Sequence, residues 1–189
     1  MNWLIFSLAA WVLLGCELGM RRALELGNTS IAPSFVFSLL VLVALAATPA
    51  TIYSAAFFLG LLVDLLNPVV LADGKGDIVL LGPYTLGYLL SAQLMLLSRG
   101  MLMRRNPLTF GLLAGLGFAI VQILVLSYVT IRGWFSEPVA MAAGSEVLRR
   151  LASAFYTGLI GMVLALALLP LASYFGFANL QSRRFARRD

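Results

Sequence analysis

The chain of 189 residues has no histidine and a single cysteine, Cys16. Without histidine there is no imidazole base, no His-containing triad, no His metal ligand and no imidazole proton relay. One cysteine excludes an intrachain disulfide and any multi-cysteine metal centre. Charge is scarce as well: Asp, Glu, Lys and Arg make up 11% of the residues, against ~25% in a soluble domain. Long apolar runs fill the space instead, and 61% of the residues are hydrophobic. That composition describes an integral membrane protein. No polar stretch is long enough to bury a core of its own, so residues 1–189 form one transmembrane domain. The net charge of +5 comes from arginines at the ends of apolar runs. Such placement suits anchoring to membrane lipid and gives no nucleic-acid footprint.

The apolar runs predict an all-α bundle of six spans, at about 2–20, 33–47, 50–66, 78–97, 108–131 and 150–169. The first is distinguished from a signal peptide by the lack of Lys or Arg in residues 1–10, although Leu13-Leu14-Gly15-Cys16 faintly resembles a lipoprotein cleavage site. Glu17 and Arg21 stand four apart and are expected to pair at the membrane edge. Ser30 or Ser34, beside Pro33, starts the second span. That span is short, which implies either a poorly tilted span or a place partly inside the bundle, and Thr48-Pro49 separates it from the third as a tight hairpin. Gly74-Lys75-Gly76 lacks the full Walker A pattern and reads as a turn. Gly82-Pro83 within the fourth span implies a broken entry turn, with Gly87, Ser91 and Met95 on one face beside Gln93. Gly111-x-x-x-Gly115 with Ala119 predicts close helix packing, and Ser153, Thr157, Gly161 and Ala165 form a second small stripe. Gln122 reads as an interhelical hydrogen bond. Trp134 fits an interfacial belt, and residues 139–149 read as a short surface helix.

Six spans put both termini on one side. The positive-inside rule favours the cytoplasm for that side, with seven Lys/Arg there (Arg99, Arg104, Arg105, Arg183, Arg184, Arg187, Arg188) against six opposite. The tail at 182–189 is then a basic cytoplasmic segment.

One carboxylate, Asp64, lies inside a long apolar run, Phe57-Phe58-Leu59-Gly60-Leu61-Leu62-Val63-Asp64-Leu65-Leu66. An ionisable group at bilayer depth costs ~2.5–3.5 kcal/mol on insertion scales, so it faces protein and marks a site. Ala56, Gly60 and Asp64 recur every four residues and share one helix face. Asp64 has no second intramembrane carboxylate and no histidine to work with. Acid–base catalysis therefore lacks its partner, and no cofactor or metal site is expected.

Gly60-Leu61-Leu62-Val63-Asp64-Leu65-Leu66, a short loop, Leu81-Gly82-Pro83-Tyr84-Thr85-Leu86-Gly87 and a basic stop at Arg99 resemble the MreD family of rod shape-determining membrane proteins. The likeness covers about residues 57–105; elsewhere it is one of hydropathy. The loop after Asp64 is longer than the family pattern, as is that at 132–149. The resemblance implies a non-enzymatic scaffold of the bacterial inner membrane, multi-pass with both termini cytoplasmic. It implies an MreC-type bitopic partner and the MreB filament and RodA–transpeptidase elongation complex that builds lateral peptidoglycan. It implies helix-packing or partner-contact roles for Asp64, Gly60, Ala56, Asn67, Gly82, Tyr84 and Gly87. A second family is also similar in size and span number: the substrate-binding (S) subunit of energy-coupling-factor vitamin importers, whose fold is related. Its Ala-x-x-x-Ala docking motif is missing, since Leu13 and Leu14 follow Ala9 and Ala10 at that spacing.

Overall fold

The computed structural model describes residues 1–27, 29, 31–70, 77–99, 106–135, 143–172 and 174–176. Six helices follow one another: α1 (Trp3–Leu24), α2 (Phe35–Ala46), α3 (Pro49–Leu66), α4 (Pro83–Ser98), α5 (Pro107–Phe135) and α6 (Ala143–Leu171). Between α3 and α4, β1 (Val69–Val70) pairs antiparallel with β2 (Asp77–Ile78). The chain is thus a helical bundle. Four helices, α1, α3, α5 and α6, are long and apolar enough to cross a membrane.

The bundle is organised around its shortest helix. The twelve residues of α2, FVFSLLVLVALA, carry no polar face. A helix that is apolar all round must be surrounded. All residues from Phe35 to Leu45 are buried, and α2 packs against α1, α3, α4, α5 and α6. At 1.5 Å per residue it is about 18 Å long, well short of a ~30 Å hydrocarbon core. Hence both its ends lie where water is scarce and need protein partners.

The other helices turn their large apolar side chains outward. Leu8, Trp11, Leu116, Ile123, Phe155 and Val163 are all exposed, the surface a bilayer covers. Inside, small residues draw the helices together. A Cβ on Gly115 would sit 3.4 Å from Gly158 Cα, and one on Gly158 would sit 3.0 Å from the Gly111 carbonyl. The predicted Gly111/Gly115 face therefore meets α6 at Gly158. The sequence stripe had passed over Gly158 in favour of Gly161, which packs on Ala114. Gly117 receives the Phe37 ring and Met95, and its carbonyl accepts from Ser91 Oγ at 2.7 Å.

Several boundaries differ from those expected. Helix α4 begins at Pro83, not at 78: residues 77–78 are strand, Gly82 has φ +123°, and Pro83 occupies the first helical position. A left-handed residue followed by proline is a helix start. α1 continues to Leu24. α5 runs to Phe135, and α6 takes in 143–149, so that part of the expected surface helix is the first two turns of α6 itself. Residues 136–142, Arg104 and Arg105, the glycines at 74 and 76, Ser30 and the tail at 182–189 lie outside the described residues.

Candidate functional site: a carboxylate-capped helix junction and the cavity beside it

Asp64 sits in the last turn of α3, is 1% exposed, and is fully engaged by α4. Its Oδ1 accepts from the Tyr84 N–H at 2.8 Å. Its Oδ2 accepts from the N–H groups of Gly82 at 2.9 Å and Thr85 at 3.0 Å, and from Thr85 Oγ1 at 2.6 Å. Pro83 has no N–H, and the Leu86 N–H already reaches the Gly82 carbonyl at 2.8 Å. One carboxylate thus satisfies every donor left over at the start of α4, the orphan groups that any helix N-terminus presents. Its negative charge also faces the positive end of the helix dipole.

The other predicted residues divide into two sets. Ala56 and Gly60 lie on the face of α3 that carries Asp64, and both are buried. A Cβ on Gly60 would come within 2.6 Å of Thr85 Cα, so only glycine lets α4 approach closely enough for Asp64 to reach its amides. Gly82 supplies the left-handed turn. Asn67 ends α3: its Nδ2 donates to the Val63 carbonyl at 2.9 Å, and its Oδ1 accepts a long bond, 3.4 Å, from Arg21. Gly87 belongs to the opposite face of α4, where an added Cβ would meet Val121 of α5 at 2.9 Å. Tyr84 lines a cavity together with Val63, Leu66 and Asn67.

Two ends of α2 use the same device, which the sequence reading did not detect. Glu17 does not pair with Arg21 as expected. Its Oε2 accepts from Ser34 Oγ at 3.0 Å and from the Val36 N–H at 2.9 Å, capping the start of α2. Ser34 is the N-cap, accepting from the Phe37 N–H at 3.2 Å, and its own N–H donates to Thr157 Oγ1 at 3.0 Å. At the far end Arg99 donates to the carbonyls of Ala47 at 2.6 Å and Leu45 at 3.0 Å. A carboxylate at the N-terminus and a guanidinium at the C-terminus both match the helix dipole.

Because α2 is short, its start is recessed. Ser34 meets α6 at Thr157, 14 residues past Ala143, or about 21 Å along that helix. The space above α2 is a cavity of about 80 Å3. Its polar lining is Glu17, Arg21, Ser34, Asn67, Tyr84 and Gln122, and Leu14, Leu18, Ala32, Pro33, Val63, Leu66 and Phe118 complete the wall. Gln122 makes the expected interhelical bond: Arg150 Nη1 donates to its Oε1 at 2.8 Å, while Arg150 Nε pairs with Glu146 at 3.0 Å.

Compared with protein-family models, curated proteins and solved structures, the chain shows no match to any of them.

Proposed function

We propose that this chain is a non-enzymatic membrane scaffold of the MreD kind, serving a bacterial cell-elongation complex through an MreC-type single-span partner. The observation that carries the reading is the Asp64 junction. The segments that bear the resemblance, Gly60–Asp64 and Gly82–Gly87, come together at Gly60, Asp64, Gly82, Tyr84 and Thr85, each with a packing or bonding task. Both carboxylate oxygens are taken up by α4 donors and the side chain is 1% exposed, which leaves no open face for a substrate and supports a structural role over acid–base chemistry. In this reading the chain lies in the inner membrane with both termini cytoplasmic. The polar cavity then faces the periplasm, on the side where the partner's soluble domain lies.

The importer-subunit reading draws its support from that cavity, since such a protein needs an outward pocket. At about 80 Å3 among the described residues, it is far below the ~300–1,000 Å3 of sites for drug-sized ligands. The test is recovery of the partner. The tagged chain, purified from its host membrane in mild detergent, should bring down a single-span protein with a periplasmic domain and elongation enzymes. Recovery of a transporter ATPase module instead would favour the importer.

A further inference from the structure

A leucine on the outer face of a membrane helix meets lipid and needs no partner. A glutamine there does. Gln93 lies on the exposed side of α4, six residues before Arg99, or about 9 Å along the helix. Exposed Leu90 and Leu97 flank it, a turn to either side. The Tyr53 hydroxyl of α3 donates to Gln93 Oε1, which occupies one end of the carboxamide. The amide NH2 has no partner among the described residues, and hydrocarbon offers none. An amide group left without a hydrogen bond in an apolar medium is costly, and glutamines of membrane helices bond across to a neighbouring helix. No helix of this chain covers that face. The inner side of α4 is already spent, with Gly87 against Val121 and Ser91 bonded to the Gly117 carbonyl of α5, and Tyr88 against Phe37 of α2.

The residues around Gln93 carry a pattern of their own. Leu86, Leu90, Gln93 and Leu97 are all exposed and stand four, three and four apart. That is the 3.5-residue period of a left-handed two-helix seam, in which a single polar residue fixes register and the number of strands. A second copy of the chain enters the membrane in the same orientation, so its α4 runs parallel and its Gln93 stands at the same depth. A carboxamide carries both a donor and an acceptor, and its oxygen has two lone pairs. Two such groups facing each other across a twofold axis therefore satisfy one another, while each Oε1 keeps its bond from Tyr53. A partner helix of another kind would need a polar side chain at this same depth; a second copy supplies one by symmetry.

We propose that two copies of this chain pair in the membrane through α4, with Leu86, Leu90 and Leu97 packed along the seam and the two Gln93 amides bonded to each other across the twofold axis. The pairing does not depend on the scaffold role.

The test is disulfide cross-linking of the full chain in its host membrane. The one native cysteine is removed by Cys16→Ser, and single cysteines are placed at the seam by Leu86→Cys, Leu90→Cys and Leu97→Cys, with Phe155→Cys on the exposed face of α6 as the control. After mild oxidation the three seam positions should give dimers of the chain, several-fold above the control. Adding Gln93→Leu to Leu90→Cys should lower the yield about threefold or more at equal membrane level, whereas Tyr53→Phe, which removes the internal bond and keeps the amide, should retain it. Gln93 is exposed, so its leucine variant should melt like the wild type in detergent. Dimers no more abundant than in the control, or a yield that Gln93→Leu leaves unchanged, would overturn the proposal. An equal fall in Tyr53→Phe would trace the effect to the α3–α4 contact and overturn it too. Adducts of the seam positions with a different protein in place of dimers would assign this face to a partner helix, against the proposal.

Discussion

Replacing Asp64 with alanine separates two energies of opposite sign. Removing a carboxylate from an apolar span relieves an insertion cost of ~2.5–3.5 kcal/mol, so the variant should enter the membrane at least as well as the wild type. The folded bundle loses far more. Three backbone N–H groups, of Gly82, Tyr84 and Thr85, and the Thr85 hydroxyl all donate to this carboxylate. The hydroxyl can rotate to another acceptor; the three amides cannot. Each buried donor left unmade costs ~1–3 kcal/mol, and loss of an N-cap alone costs ~0.5–2 kcal/mol. Water reaching the end of α4 recovers part of this, so about 3–5 kcal/mol of folding free energy is expected to go. Denaturant titration in mixed micelles reads the loss, and amide exchange at Gly82, Tyr84 and Thr85 should rise with it. Asp64→Asn should fall between, since it keeps one acceptor oxygen but turns an NH2 towards the α4 amides. An alanine variant with wild-type stability and unchanged exchange at those three amides would refute the capping argument.

Gly60→Ala should cost ~1–3 kcal/mol in the same titration, because its new methyl meets the Thr85 backbone at 2.6 Å and pushes α4 off Asp64. Glu17→Ala and Arg99→Ala should each destabilise the bundle by ~1.5–3 kcal/mol. Acting at opposite ends of α2, they should add to within ~0.5 kcal/mol in the double variant. On the proposed topology, alkaline phosphatase fused at the C-terminus should be inactive, and the same enzyme inserted near position 137 should be active; the reverse would invert the protein.

How much of this was legible in the sequence depended on the reach of each interaction. The class of protein and the order of helices followed from apolar runs, the buried place of the second helix was one of two readings its shortness allowed, and the Thr48-Pro49 and Gly82-Pro83 breaks fell where the chain bends. Asp64 stood out because nothing else charged lies near it, and its partners follow within 21 residues. Glu17 was misread, and the capping task of Arg99 missed, for a physical reason. Each has a plausible local task, an ion pair with Arg21 and a place in a basic loop, whereas their actual partners lie 19 and 52 residues away. Hydropathy carries no signal for a helix too short to reach water, although that shortness predicts charged caps once α2 is known to be central. The start of α4 was set too early because Ile78 to Leu81 are apolar, and periodicity does not distinguish a short strand from a helix in so few residues. The cavity follows from the recessed start of α2, a three-dimensional fact with no counterpart along the chain.

The central claim is that this bundle scaffolds cell elongation, and the most direct measurement is depletion of the protein in its own host, with cell shape and growth followed with and without a vitamin mixture. The account predicts loss of cell shape that vitamins do not relieve and that Asp64→Ala fails to rescue fully at wild-type membrane levels. Unchanged shape with growth that depends on added vitamins would contradict it.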